Sequence, residues 1–339
     1  MSKTNKNLGA DLQPVYYNRV MSDNFEKLIM EEYNWLIEFV KKNSDLDFQT
    51  GFDPKQNKSW FSVYRGTSRI LQITKREKAV KEKIDAAPAY KALAPYIFVK
   101  QLVDEKSFEA YLKAIRENPK FGRYYVDSNG KRNEGYYQTL ISRRYTFENK
   151  FDDDFVIFDK EFVLGFLDDE EKKAWNEVLI KVQKGSLKRL RSKTKNKLPK
   201  NIKLEYGEID FMGLTWDGDL IIMELKKDVG DGLSPIQIAY YSLQFDKLMI
   251  DGMEDRLDIV IKAMIRQKRR MGLIKWPPKA KELPNGLSGC VRKYIIIGND
   301  KGASSTIKKR FALAKEATYS GINVFTCDTD GTLRPSSLF

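Results

Sequence analysis

The stretch GEIDFMGLTWDGDLIIMELKK, Gly207 to Lys227, decides how this chain is read. Trp216-Asp217-Gly218 separates two strand-like runs. The second run, Leu220 to Met223, is apolar without interruption and then meets Glu224-Leu225-Lys226. Side chains alternate across a strand, so Leu220, Ile222, Glu224 and Lys226 share one face, and Ile221, Met223 and Leu225 the other. An acid and a base thus project together from the end of a strand that is otherwise apolar.

Register decides what Asp210 does. A two-residue Asp217-Gly218 loop pairs Asp210 with Leu225 and turns it away from Glu224. A three-residue loop, Trp216-Asp217-Gly218, pairs Thr215 with Asp219 and Asp210 with Glu224. That loop wants positive φ at its last residue, which Gly218 supplies. The three-residue loop, or an equivalent bulge near Gly213, is therefore expected; one residue of slip would move Asp210 to the other face. Two carboxylates then meet about 5 Å apart on one face. They repel unless a cation lies between them. Lys226 helps; a divalent ion would do more, and oxygen-only ligands suit Mg²⁺ or Mn²⁺.

Composition narrows the chemistry. The chain has 339 residues, a length that suggests about two domains, and no histidine. Ser-His-Asp triads, histidine-ligated zinc and nucleases with a histidine base are excluded. Cys290 and Cys327 are the only cysteines, too few for a disulfide framework or a four-cysteine zinc site. Hydrolysis must run on carboxylates, lysine, tyrosine or a hard metal ion. The net charge of +13 points to a polyanionic partner, nucleic acid first, with plain solubility as the competing reading. No apolar run approaches the roughly 20 residues that span a bilayer, and the first residues lack a signal-like apolar region. A cytoplasmic protein with no membrane partner is expected.

Residues 1–20 read as irregular. A helix is predicted from Ser22 through Val40, a hairpin over Trp60–Ile73 turning at Arg65–Ser68, a helix over Lys75–Lys83, and another over Ser107–Glu117 capped by Ser107. Asp127-Ser128-Asn129-Gly130 is a turn and marks a boundary near residue 130. Beyond it, helices are expected at Glu134–Arg144, Asp168–Val182, Ser234–Met249 and Ser304–Tyr319. Strands are expected at Phe155–Phe166, Arg292–Asp300 and Ile322–Cys327, besides the opening hairpin. The expectation is an α/β protein: an N-terminal α+β domain, 1–130, then a domain over 131–339 with a mixed central sheet flanked by helices.

Asp210 followed by Glu224-Leu225-Lys226 resembles the core motif of the PD-(D/E)XK nuclease superfamily, the restriction-endonuclease-like fold. The resemblance covers about residues 134–330, and Ile209 stands where the family name has proline. It implies that Asp210 and Glu224 hold Mg²⁺ and that Lys226 assists phosphodiester hydrolysis. A further acid often comes from an earlier element; Asp159 or Glu161 is similar in placement, with Glu161 favoured. Glu-x-Lys alone carries little, since Glu148-Asn149-Lys150 and Glu170-Glu171-Lys172 also occur. A purely structural reading makes Glu224 and Lys226 an ion pair at a strand end.

After the hairpin, Gln237 and Tyr241 stand four residues apart on one helix face. Gln-x-x-x-Tyr resembles a motif of the exonuclease-like branch that supports the active site. The rival reading places Gln237 in a capping box with Ser234, and Tyr241 in the core. Lys188–Lys203 and Lys262–Lys281 each hold eight basic residues and no acid. Lys188, Arg189, Arg191, Arg266, Lys268, Arg269 and Arg270 are the candidate nucleic-acid contacts, against the reading that such runs are solvated loops. The sequence thus leads to a Mg²⁺-dependent nuclease, DNA foremost, serving restriction, defence or repair. The alternative is a nuclease-like module that binds or assembles without cutting. Homo-oligomerisation and a recognition role for the first half stand open.

Overall fold

In the computed structural model, Gly218 takes φ +96 and its amide donates to the Thr215 carbonyl (3.2 Å), while the Thr215 amide donates to the Asp219 carbonyl (3.0 Å). The hairpin turns through Trp216-Asp217-Gly218, as the glycine's position predicts. Leu214 pairs with Leu220, Met212 with Ile222 and Phe211 with Met223 in one unbroken register. One further step sets Asp210 opposite Glu224.

The structure describes residues 19–101, 104–163, 169–193, 208–230, 232–250, 254–278, 282–298, 304–318 and 321–336. The first half holds α1 (Asp23–Glu32), α2 (Asn34–Lys42), β1 (Asp47–Asp53), β2 (Lys58–Arg65), β3 (Ser68–Arg76), β4 (Lys83–Asp85), α3 (Pro88–Lys91), α4 (Tyr96–Gln101) and α5 (Glu105–Glu117). The second half holds α6 (Glu134–Arg144), β5 (Phe155–Phe162), α7 (Asp169–Lys193), β6 (Ile209–Thr215), β7 (Leu220–Lys226), α8 (Ser234–Ile250), α9 (Glu254–Arg270), β8 (Val291–Ile297), α10 (Ser305–Thr318), β9 (Ile322–Cys327) and β10 (Leu333–Pro335). Both halves are α/β: a four-stranded antiparallel sheet in the order β1-β2-β3-β4, and a six-stranded mixed sheet in the order β10-β9-β8-β7-β6-β5. β7, β8 and β9 run parallel, and the remaining pairs are antiparallel. No helix among the described residues is long and apolar enough to cross a membrane.

Three sequence expectations are corrected. The N-terminal helix breaks at Tyr33 into α1 and α2. Lys75–Lys83 is not helical: β3 runs to Arg76, and the chain turns back into β4 at Lys83. Charge had suggested a solvated helix, but pairing with β2 carries the strand further. α5 is capped by Asp104, whose carboxylate accepts from the Ser107 amide (2.7 Å), because Asp104 stands three residues before that amide at the helix start. Of the irregular segment expected at 1–20, residues 1–18 lie outside the described residues, and 19–20 are neither helix nor strand.

β7 is covered on both faces. Leu220 and Ile222 pack beneath α8 and α9 with Ile238, Tyr241, Phe245 and Ile261. Ile221, Met223 and Leu225 pack beneath α6 with Tyr137, Ile141 and Tyr145. Each such apolar side chain contributes roughly 1.5–3 kcal/mol on burial, and this packing offsets the burial of a charged pair at the strand's end.

The first half is stitched to this sheet. The Lys160 ammonium bonds both Asp47 oxygens (2.8 Å each), and both residues are buried. The Arg143 guanidinium from α6 donates to the carbonyls of Val40, Lys41, Asn43 and Leu46 (2.7–3.0 Å), collecting the C-terminal end of α2, where a helix favours positive charge. Gly135 meets the turn between β2 and β3 so closely that a Cβ would lie 2.1 Å from the Tyr124 carbonyl oxygen.

Candidate active site

The site forms where β7 leaves its apolar cover. Glu224 is 1% exposed, one of its oxygens 2.5 Å from the Lys226 ammonium. Its other oxygen, Oε2, is buried and has no hydrogen-bond partner among the described residues. Asp210 on β6 turns its Oδ2 to the Leu225 amide (2.6 Å), which anchors it against the neighbouring strand. These three residues are those the sequence pattern selects, and the register brings them to one strand end.

Electrostatics mark the cluster. Burial, offset by Lys226, pushes the Glu224 carboxyl up to about 7. Burial and then the neighbouring Glu224 push Asp210 well above the usual aspartate range. Burial alone would depress Lys226, but Glu224, Asp210 and Glu134 outweigh it and raise its pKa. Lys226 is therefore a fixed cation, and the two acids compete for it.

α8 supplies the next layer. The Gln237 side-chain amide donates to the Tyr241 hydroxyl (3.0 Å). Gln237 thus serves Tyr241, which is not the geometry of a capping box. Tyr241 is 1% exposed, and burial followed by the charge of Glu224 raises its pKa. Its hydroxyl stays protonated beside the acids.

Glu161 does not join them. It stands across from Asp210 by register, since Lys160 pairs with Phe211 and Phe162 with Ile209. Its backbone, however, takes φ +48, and its carboxylate lies against the Gln138 amide (3.5 Å) and Tyr64. Asp159, the other candidate, is buried and pairs with Arg19 (3.1 Å). The acid that does act on the pair is Glu134, in the first turn of α6, whose charge bears on Asp210, Glu224 and Lys226 alike. A first-turn glutamate at the start of a predicted helix was the available signal, but helix dipoles favour such acids everywhere. Among the described residues no group of three or more His, Cys, Asp or Glu side chains is disposed to hold a metal ion.

The basic candidates scatter. Lys268 is 8% exposed, donates to the Phe158 carbonyl (2.5 Å), and is pushed down to about 8 by burial. It is a core residue and not a nucleic-acid contact, because it continues the inward stripe of Leu257, Ile261 and Met264 on α9. Arg270 pairs with Glu26 (2.6 Å), and Arg269 lies over the Trp276 ring (5.6 Å). Arg266 is exposed. On α7, Lys188 is exposed, Arg191 is partly exposed, and Arg189 donates to the Ala317 carbonyl (3.0 Å). Residues 194–203 and 279–281 of the two basic runs lie outside the described residues.

Comparison of the chain with family models, with curated proteins and with solved structures finds no match.

Proposed function

We propose that this chain is a metal-dependent nuclease that hydrolyses phosphodiester bonds, with DNA as its foremost substrate and restriction, defence or repair as its setting. One observation carries the reading. Two carboxylates and a lysine, from adjacent strands, converge at the end of a buried strand, and one buried carboxylate oxygen, Oε2 of Glu224, has no partner among the described residues. An orphaned buried oxygen is costly unless something accepts its charge.

The donor set fits Mg²⁺ or Mn²⁺. Mg²⁺ keeps several waters and needs only one or two protein carboxylates beside substrate phosphate, so Asp210 and Glu224 suffice. Such an ion supplies Lewis acidity at a phosphate oxygen and lowers the pKa of a bound water. The protein's own groups do the rest. Lys226, held as a cation by its acidic neighbours, presents positive charge where negative charge develops on the phosphate. Gln237 fixes the Tyr241 hydroxyl beside Glu224, and Glu134 strengthens the negative field that attracts a cation. With no histidine in the chain, proton removal falls to water and these acids.

The test is cleavage of supercoiled plasmid with Mg²⁺ by the native protein and by Lys226→Ala. Loss of one such charge is expected to slow cleavage about 10²–10³-fold. Equal rates would end the assignment. Nucleic-acid binding without cleavage in Mg²⁺ or Mn²⁺ would favour a non-cutting module.

A further inference from the structure

The carboxyl ends of β7, β8 and β9 open onto a cleft of about 1040 Å³. This is at or above the roughly 300–1,000 Å³ of small-molecule pockets, and its walls are polar and charged, which suits a polymer better than a compact ligand. The cleft begins at the catalytic strand. Lys227, one residue beyond Lys226, lines it. So does Tyr137, one turn after Glu134 on α6. Gly298 also lines it, and its amide donates to the Lys226 carbonyl (2.8 Å). A Cβ at Gly298 would lie 2.4 Å from the Tyr137 ring, so α6 seats directly on the strand ends and this wall is fixed.

The charges in the cleft are of two kinds. Its acids are engaged locally: Asp228 accepts from the Gly230 amide (2.9 Å), Asp330 from the Thr332 amide (3.1 Å), and Asp328 pairs with Arg334 (2.7 Å). Lys131, Arg132 and Lys227 form no ion pair among the described residues. Lys131 and Arg132 are exposed on the turn that leads into α6. Arg132 is braced over the Tyr136 ring at 4.6 Å, which limits the freedom it would lose on binding an anion. Lys226 follows the face of Glu224, and Lys227 faces the cleft behind it. A chain of phosphates draped over the end of β7 would meet both in succession.

We infer that this cleft is the track for the phosphodiester backbone flanking the scissile bond, with Lys131, Arg132 and Lys227 each taking a phosphate. The inference rests on the nuclease reading and adds, to the basic candidates of α7 and α9, a binding surface at the start of α6 and the end of β7. Phosphate contacts give affinity without sequence choice, and each one steepens the salt dependence by about 0.9 on duplex DNA or about 0.7 on a single strand.

The experiment measures fluorescence anisotropy of a labelled duplex and a labelled single strand across a salt series with chelator present. The proteins are the native chain, Lys131→Ala/Arg132→Ala/Lys227→Ala, and a control that removes as many charges elsewhere, Lys172→Ala/Lys173→Ala/Lys309→Ala. The cleft variant is expected to bind at least about tenfold more weakly, with a log–log salt slope shallower by about 2–3. The control keeps the native slope. Unchanged thermal melting of both variants separates binding from folding. A native protein that binds while the cleft variant matches it, or while the control falls equally, overturns the inference and leaves the nuclease reading standing. A native protein that binds neither oligonucleotide overturns both.

Discussion

Removing the charge of Glu224 should stabilise the metal-free protein in alkali while abolishing the proposed cleavage. The Glu224 carboxyl is 1% exposed, with one oxygen on Lys226 and the other without a partner among the described residues. Its pKa is pushed from 4.5 up to about 7. At about 1.4 kcal/mol per unit, that displacement corresponds to about 3 kcal/mol. The folded carboxyl holds its proton more tightly than the unfolded one. Its contribution to stability is therefore complete below pH 4.5 and is lost as pH rises through about 7. Asp210 is raised as well, so the two carboxyls titrate as a pair. Glu224→Gln keeps the shape and removes the titration. Lys226, whose pKa is raised, stays protonated across this range, so loss of its partner shifts the variant's curve without tilting it. Urea unfolding with chelator between about pH 5 and about pH 9 should show the variant gaining on the native protein by about 2–3 kcal/mol toward the alkaline end. At alkaline pH, Mg²⁺ at about 100 times its Kd should return about 2.7 kcal/mol to the native protein and much less to the variant. Parallel pH curves would refute the argument from burial. Equal stabilisation by Mg²⁺ would refute Glu224 as a ligand.

Tyr241→Phe removes the hydroxyl that receives the Gln237 amide; it should cost about 1 kcal/mol in urea unfolding and slow plasmid cleavage, with Gln237→Ala producing the same cleavage defect. Lys160→Met leaves Asp47 buried and unpaired and should destabilise by about 3–5 kcal/mol, with Asp47→Leu in the same chain restoring much of the loss. Gly135→Ala forces a methyl against the Tyr124 carbonyl and should lower stability by about 1–3 kcal/mol or more, read from the thermal midpoint. Glu134→Gln should raise the Mg²⁺ concentration needed for half-maximal cleavage while changing the free energy of urea unfolding by no more than about 1 kcal/mol, since Glu134 is only half-buried at the start of α6.

The hairpin and its charged end were legible because local rules specify them. Gly218 selects the loop length, the loop selects the register, and alternation then places Asp210, Glu224 and Lys226. Gln237 and Tyr241 were singled out by the family resemblance, and helical spacing set them on one face. The losses came where tertiary contacts decide. β1, whose run Asp47-Phe48-Gln49-Thr50 is largely polar, carries no strand signal, yet Asp47 and Gln49 are buried because they bond the ammonium and the carbonyl of Lys160 on β5. Glu161 has the right register, but positive φ, which no glutamate advertises, turns its carboxylate aside. Lys268 was readable in principle: it falls on the inward stripe of α9, and the stripe outweighs its charge once a carbonyl is there to receive the ammonium.

The conflict at the end of β7 is itself informative. Five apolar side chains on that strand are buried to 1% exposure or less, and the same strand then buries a carboxylate whose second oxygen has no hydrogen-bond partner among the described residues. A sequence selected for stability alone would end the strand sooner or place an apolar residue at 224. The surroundings also keep the acids from relaxing. α6 carries Glu134 and is held by Arg143 on the end of α2 and by Gly135 against the β2–β3 turn, while β5 is pinned by Lys160 on Asp47. Among the described residues the first half thus bears on the site by fixing α6 and β5, the two elements that pack against β7 and β6. That frame holds Asp210 and Glu224 close, so each carboxyl keeps its proton more tightly than usual, and a cation seated between them would compete with those protons.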